Sequence, residues 1–165
     1  MASIPISTEG FSRLRIELDN LKAQRPEVIQ AIKEAREEGD LSENAGYDAA
    51  RERQGMLEAK INFIESRMPQ LNVVDVAQLG GEKIIFGATV KLVDLDTDEE
   101  RIYLLVGPDE ADFVNKTLHA ISVFSPVGKA LLGKEAGDEV TIDVPRGKIS
   151  YEILDVHFGG VYINE

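Results

Sequence analysis

The sequence of 165 residues contains no cysteine, no tryptophan and only two histidines, His119 and His157. Without cysteine there is no disulfide, no thiolate zinc site and no cysteine nucleophile. Two isolated histidines also argue against a self-contained histidine metal site. No apolar run approaches the roughly 20 residues of a membrane-spanning helix, and the N-terminus lacks a basic segment leading into an apolar one. We therefore expect a cytoplasmic protein with no membrane partner.

Positive charge is scarce as well. Lysine and arginine total 18 against 30 acidic residues, a net charge of −12. Residues 1–78 hold 14 acids and 10 bases, and residues 79–165 hold 16 acids and 8 bases, which gives −4 and −8. A net-acidic surface is repelled from phosphate unless its basic residues are grouped. This argues against a free-standing DNA or RNA binder, so nucleic acid must be met locally or through another protein.

The first 76 residues contain two stretches in which apolar residues recur at alternating intervals of three and four. The first stretch has Phe11, Leu14, Leu18, Leu21, Val28, Ile32 and Ala35; the second has Tyr47, Ala50, Leu57, Ile61, Ile64, Met68 and Leu71. This spacing is typical of a coiled-coil seam. It predicts two long helices, the first bent at Pro26. A short connection forces them to run antiparallel, so we predict a helical hairpin of about 45 Å.

The residues after 76 have a different period. Short β-branched runs at 84–93, 101–106, 140–144 and 149–156 predict a small antiparallel sheet, with turns at 94–100 and 145–148. Ser125, Pro126 and Gly133 fit the N-cap, first position and C-terminal stop of one short helix. The predicted fold class is α+β, with a hairpin domain at 1–76 and a second domain at 77–165.

The connection between the two predicted helices, residues 39–45, is here called the tip. Asp40 and Glu43 have the spacing of a capping pair, with Asp40 at the N-cap and Glu43 at N3 of the second helix. Alternatively, the two carboxylates with Ser42 and Asn44 form a hard-oxygen cluster suited to Mg²⁺. Such a cluster would bind the ion weakly unless another macromolecule supplied further ligands.

Four basic residues flank the tip in the sequence. They are Lys33 and Arg36 before it, and Arg51 and Arg53 after it. Antiparallel pairing would gather them into a small basic collar. The alternative is that they lie on solvated helix faces and form i,i+4 pairs such as Lys33 with Glu37.

The sequence around the tip carries a family resemblance. It reads Ala35-Arg36-Glu37-Glu38-Gly39-Asp40-Leu41-Ser42-Glu43-Asn44-Ala45 and continues through Tyr47, Ala49, Ala50, Arg51 and Gln54. This run resembles the tip signature of the bacterial Gre transcript-cleavage factors, in particular the GreA branch. Further matches at 4–7, 85–90, 107–112 and 122–134 stand in family order and spacing, so the resemblance spans nearly the whole chain.

The resemblance implies a function in transcription elongation. Gre factors insert a helical hairpin into the secondary channel of bacterial RNA polymerase, while a domain similar to FKBP folds docks on the channel rim. By this resemblance, Asp40 and Glu43 would help to hold a second Mg²⁺ and its attacking water in the polymerase active site. The polymerase would then cleave backtracked RNA. The factor would share this Mg²⁺ with the polymerase, bind no cofactor by itself and have no turnover alone.

The resemblance also suggests roles for the residues near the tip. Ser42 and Asn44 would make lesser tip contacts. Arg36 and Arg51 match basic positions that face the 3′ end of the nascent RNA, and Lys33 and Arg53 are weaker candidates. RNA and the transcribed DNA would be met only within the elongation complex.

Docking on the polymerase is expected at Phe124, Ser125 and Pro126, which match the rim-binding loop of the family. Two positions depart from the family pattern. Gly46 stands where glutamate is usual, which predicts a shift in activity, and Phe124 stands where a polar residue is more common. Two other functions are considered. One is a polymerase inhibitor that occupies the same channel; the other is a prolyl isomerase resting on the C-terminal half.

Overall fold

The computed structural model describes residues 3–39, 44–114 and 118–159. The chain divides into two compact units. One unit runs from Arg13 to Gln70, and the other combines the segment up to Ser12 with the chain from Leu71 onward. The sequence pattern alone draws the division between 76 and 77. The N-terminal segment joins the second unit because β1 (Ile4–Ser7) pairs in parallel with β2 (Leu71–Val74).

The first arm of the hairpin consists of two helices, α1 (Thr8–Ala23) and α2 (Arg25–Glu37). The prediction of one continuous helix is wrong. Pro26 has no N–H to donate to the carbonyl four residues earlier, and its ring crowds that carbonyl. The chain therefore makes a turn at Gln24, whose N–H donates to the carbonyl of Leu21 at 3.1 Å, before α2 begins.

The second arm is α3 (Ala45–Arg67), followed by a single 3₁₀ turn at Met68–Gln70. The predicted seam extends too far, since Leu71 lies in β2. Two ion pairs, Glu27 with Arg53 and Arg25 with Glu58, link α2 to α3 in opposite sequence order, so the two helices run antiparallel as predicted.

Burial follows the predicted seams. The buried residues of the hairpin unit are Leu14, Leu18, Val28, Ile32, Ala35, Ala50, Leu57, Ile61 and Ile64. All nine belong to the two apolar series, so the three-four spacing identified the packed faces correctly. Within the described ranges, no helix combines the length and apolar character needed to cross a bilayer.

The second unit contains a five-stranded sheet in the order β5-β4-β3-β7-β6. Its strands are β3 (Thr89–Asp94), β4 (Glu100–Val106), β5 (Ala120–Ser122), β6 (Glu139–Val144) and β7 (Gly147–His157). Pairings β3–β4, β3–β7 and β6–β7 are antiparallel, but β4–β5 is parallel. The prediction of a wholly antiparallel sheet is therefore wrong. It missed β5, which is only three residues long.

The run predicted as a strand at 84–93 begins too early, since β3 starts at Thr89, but the two turns and the short helix of this unit are confirmed. The chain turns between Asp94 and Glu100 and between Val144 and Gly147. The short helix α4 (Pro126–Leu131) begins after Ser125, whose hydroxyl accepts the Gly128 N–H at 3.1 Å. Gly133 follows it with φ +82°, a left-handed conformation that glycine adopts without strain. The main core has at its centre Leu92, Leu105, Leu131, Ile142 and Ile153.

Candidate functional site

The closed end of the hairpin is the first candidate site. It consists of residues 35–39 and 44–47 and is here called the hairpin end. Asp40, Ser42 and Glu43, the predicted tip residues between these segments, lie outside the described residues. Gly39 has φ +128°, a conformation that residues with a Cβ rarely adopt, so the chain leaves α2 through a position that requires glycine.

Asn44 joins the two helices of the hairpin end. Its Oδ1 accepts the backbone N–H of Tyr47 at 3.0 Å, and its Nδ2 donates to the carbonyl of Ala35 at 2.6 Å. Asn44 is therefore the N-cap of α3, and the prediction that Asp40 fills this position with Glu43 at N3 is wrong. Asparagine caps as well as aspartate, and unlike a carboxylate it can also donate to a carbonyl on α2.

Arg36 and Tyr47 make a second link across the hairpin end. The Arg36 guanidinium lies 5.9 Å from the centre of the Tyr47 ring, within the range of a cation–π interaction. Tyr47 is half-buried, as expected for a seam residue. A cation–π contact uses the face of a guanidinium and not its in-plane N–H donors, which are the groups that suit an anion.

The four predicted collar residues have different surroundings. Lys33 and Arg36 line one shallow depression on α2, together with Ile29, Ile32 and Glu37. Arg53 pairs with Glu27 at 3.2 Å, and Arg51 donates to Gln54 at 3.4 Å. The structure thus places two of the bases on one surface and opposes the charge of Arg53 with a carboxylate.

The predicted docking residues form a well-held turn before α4. Phe124 is 46% exposed, and its N–H donates to the hydroxyl of Ser122 at 3.0 Å. Ser125 donates its hydroxyl to the carbonyl of Ser122 at 2.7 Å while it caps α4. Pro126 is exposed. The turn therefore presents two apolar side chains, and Ser125 fixes its shape.

Sequence reasoning missed a buried carboxylate at Glu110. Its oxygens accept the Ser7 N–H at 3.1 and 3.2 Å, the Ser7 hydroxyl at 2.6 Å and the Gly107 N–H at 3.1 Å. Burial raises the pKa of Glu110 to about 6, although the bonds to Ser7 and Gly107 act in the opposite direction. The stretch 107–112 matches the family pattern, but nothing in its composition indicates that Glu110 is buried.

A second missed feature is the contact that Arg25 makes in the hairpin. Arg25 interrupts the apolar seam and binds Glu58 through two parallel hydrogen bonds, Nε to Oε1 at 2.7 Å and Nη2 to Oε2 at 2.8 Å. These bonds raise the pKa of Arg25 and lower that of Glu58. The pair links the arms directly after the break at Gln24.

No group of three or more histidine, aspartate or glutamate residues within 3–39, 44–114 and 118–159 is arranged to hold a metal ion. The predicted metal ligands Asp40 and Glu43 lie outside these ranges.

Comparison with known proteins assigns the family. Residues 4–73 match the family model for the N-terminal part of transcription elongation factors, and residues 79–158 match the GreA/GreB C-terminal model. The chain is 65% identical over 160 residues to transcription elongation factor GreA of Nitratidesulfovibrio vulgaris strain Miyazaki F, covering 97% of this chain and 98% of the relative. It is 50% identical to GreA of Francisella philomiragia, over 94% of this chain and 96% of that one.

Among solved structures, GreA factor homolog 1 of Thermus thermophilus aligns with 94% of this chain and 99% of its own, at 29% identity and a TM-score of 0.44. The assignment rests on the family models and on the full-length relatives. The chain belongs to the GreA/GreB family of transcription elongation factors.

Proposed function

We propose that this chain inserts its hairpin into the secondary channel of bacterial RNA polymerase and stimulates Mg²⁺-dependent cleavage of backtracked nascent RNA. The observation that carries the proposal is the position of the signature Asp40-Leu41-Ser42-Glu43-Asn44 in a chain of this family. It falls between the end of α2 at Glu37 and the start of α3 at Ala45, where an antiparallel hairpin closes.

The cap of α3 supports a chemical role for the tip carboxylates. Because Asn44 provides the N-cap, neither Asp40 nor Glu43 is needed for that purpose. Carboxylates suit Mg²⁺, which usually keeps waters and substrate phosphates as its other ligands. In the elongation complex Asp40 and Glu43 would supply part of the ligand set, and the polymerase would supply the rest. Bound Mg²⁺ lowers the pKa of an attacking water and stabilises the leaving oxygen.

The charge distribution fits a factor that relies on the polymerase to hold nucleic acid. The C-terminal half is strongly acidic, whereas Lys33 and Arg36 share one surface near the hairpin end. Arg36 and Arg51 are our candidates for guiding the RNA 3′ segment. Arg53 is the weaker candidate because Glu27 opposes its charge. RNA and transcribed DNA are partners only inside the elongation complex.

The turn before α4 is the proposed docking site on the channel rim. Phe124 and Pro126 would contact the polymerase directly, and Ser125 would hold the turn in shape through its two hydrogen bonds. An aromatic side chain that is 46% exposed has apolar surface available for a partner. The likeness of this unit to FKBP folds stays a prediction.

The test of the function is cleavage of arrested elongation complexes by single variants. Asp40→Ala and Glu43→Ala should each abolish induced cleavage while polymerase binding survives. Asp19→Ala, which removes an exposed carboxylate from α1, is the matched control and should behave like wild type. Full cleavage by either tip variant contradicts the proposal. Loss of polymerase binding would instead make the carboxylates docking residues, and inhibition without restart would favour the channel-blocking alternative.

The docking assignment has a separate test. Phe124→Ser should raise the concentration of factor needed for half-maximal cleavage and leave the maximal rate unchanged. Leu154→Ser, at a residue that is 38% exposed in the same unit, is the matched control for loss of exposed apolar surface. Equal behaviour of the two variants would remove Phe124 from the docking site.

A further inference from the structure

Both atoms of the Asn44 side-chain amide group, the oxygen and the nitrogen, form hydrogen bonds. Its oxygen accepts from Tyr47 on α3, and its nitrogen donates to Ala35 on α2. Residues near helix ends carry backbone groups with no partner inside their own helix, namely the first four N–H groups and the last four carbonyls. Asn44 satisfies one group of each kind, on two different helices.

These two bonds connect Asn44, whose backbone is extended, to the first turn of α3 and to the last turn of α2. The carbonyl of Ala35 accepts two hydrogen bonds, from the Asn44 amide at 2.6 Å and from the N–H of Glu38 at 3.3 Å. Asn44 therefore shares an acceptor with the backbone bond that caps the C-terminal end of α2. The contact between Arg36 and Tyr47 crosses the hairpin end beside it. Together they fix the spacing of the two chain ends from which the tip starts and returns.

We propose that Asn44 is a positioning residue for the cleavage reaction and not a metal ligand. It holds the two ends of the tip at a fixed spacing, and it acts through Asp40 and Glu43, which lie between these ends in the sequence. The inference rests on the proposed function. The rate of a reaction falls steeply when a participating group is displaced by as little as about 1 Å. A loosened hairpin end should therefore slow cleavage.

Three substitutions at Asn44 separate the roles that this residue could have. Asn44→Asp keeps the acceptor that caps α3 but has no donor for the Ala35 carbonyl, and it places a negative oxygen beside it. Asn44→Ser also keeps a cap, without a change of charge, but is too short to supply the second bond. Asn44→Ala loses both bonds. Asn20→Ser, at an exposed site on α1, is the matched control.

The first measurement is the rate of RNA cleavage against factor concentration, with far-UV circular dichroism to verify folding. Asn44→Ser and Asn44→Asp should each lower the maximal rate by about tenfold or more, with little change in the half-saturating concentration. If Asn44 were a metal ligand, Asn44→Asp would match or exceed wild type, because a carboxylate binds Mg²⁺ more strongly than an amide. If it were only a cap, both variants would match wild type. Either result overturns the proposal.

The second measurement does not depend on activity. Because the chain has no cysteine, spin labels can be placed at Glu37→Cys and Asp48→Cys without removing any native thiol. Both sites are exposed; Glu37 lies on the α2 side of the hairpin end, and Asp48 is the first residue beyond it on α3. The distance distribution between the labels should be narrow with Asn44 and broader with Asn44→Ser or Asn44→Asp. An unchanged distribution overturns the proposal that Asn44 holds the two ends at a fixed spacing.

The two measurements also distinguish failure of this inference from failure of the proposed function. If wild type cleaves and the Asn44 variants cleave equally well, only the positioning role fails. If wild type releases no RNA, both the proposed function and the positioning role are wrong. The distances between the labels still show whether Asn44 holds the two helices together.

Discussion

Glu110 offers a sharp test of the energetics of the second unit. Its carboxylate is fully buried, which disfavours the charged form, yet three donor groups on Ser7 and Gly107 stabilise that same form. Burial prevails, and the pKa rises from the ordinary 4.5 to about 6. The native state therefore binds a proton more tightly than the unfolded chain. Glu110 contributes its full stability below the unfolded pKa and loses it as pH rises through the native pKa.

The size of the effect follows from the shift in pKa. A rise of about 1.5 units corresponds to about 2 kcal/mol of unfolding free energy. About 1.3 kcal/mol of this should be lost between roughly pH 5 and pH 8, a range above the isoelectric point near 4.6. Glu110→Gln cannot titrate, so its unfolding free energy should lack this component.

The substitution also adds an offset that does not depend on pH. Glutamine has one acceptor oxygen and an NH₂ group, which would point a donor at an N–H of Ser7 or Gly107. Leaving a buried N–H without an acceptor costs about 1–3 kcal/mol. The offset and the pH dependence can therefore be separated by measuring both proteins across the pH range.

The assay is urea unfolding of wild type and Glu110→Gln at several pH values. The chain has no tryptophan, so amide NMR signals from β3 and β4 are a better probe of the second unit than fluorescence. The advantage of wild type over the variant should shrink as pH rises. If that advantage grows instead, the hydrogen bonds outweigh burial and the reasoning is refuted.

Substitutions at Gly107, at the Arg25–Glu58 pair and at Gly39 should each have a measurable effect. Gly107→Ala would place a Cβ against the backbone carbonyl oxygen of Pro5 in β1 and should lower the unfolding free energy by about 3 kcal/mol or more. Gly80→Ala meets no atom within 4 Å and should be nearly neutral in the same urea titration. Arg25→Ala and Glu58→Ala should each lower the melting temperature of the hairpin; a double-mutant cycle that shows no coupling at low salt would contradict this. Gly39→Ala should strain the end of α2 and reduce the maximal cleavage rate without weakening polymerase binding, and a wild-type rate would show that the left-handed conformation is not needed.

The hairpin could be predicted from sequence because its packing repeats. Each seam residue, such as Val28 or Ile61, is buried by a rule that depends only on spacing along the chain. The helix α4 could be predicted in the same way, because Ser125 and Gly133 act on backbone groups only a few residues away. Local rules of this kind need no knowledge of the rest of the fold.

Features that depend on distant partners could not be predicted in the same way. Besides capping α3, Asn44 donates to a carbonyl nine residues earlier, and Glu110 is buried against Ser7, which lies 103 residues away. The parallel partner of β4 was missed because β5 is too short to show a period. At Pro26 the sequence pattern predicts a bend, whereas in the structure α1 ends at Ala23 and α2 begins at Arg25.

In the candidate site, too, some features can be predicted from the sequence and others depend on distant partners. Sequence resemblance predicts roles for Asp40, Glu43 and the turn before α4, because the order of a motif can be recognised without any structure. The engagement of Arg53 by Glu27 and of Arg36 by Tyr47 depends on the pairing of α2 and α3, which sets which side chains meet. The structure therefore leaves the order of the basic residues unchanged and supplies a physical reason why Arg53 is the weaker candidate.

We propose above all that this factor contributes tip carboxylates to a Mg²⁺-dependent reaction of RNA polymerase. The most direct measurement is RNA release from an arrested elongation complex across a Mg²⁺ titration, with wild type and the Asp40→Asn/Glu43→Gln double variant. Wild type should accelerate cleavage and shift half-maximal activity to lower Mg²⁺, while the double variant should match buffer. If wild type releases no more RNA than buffer at any Mg²⁺ concentration, the claim is contradicted.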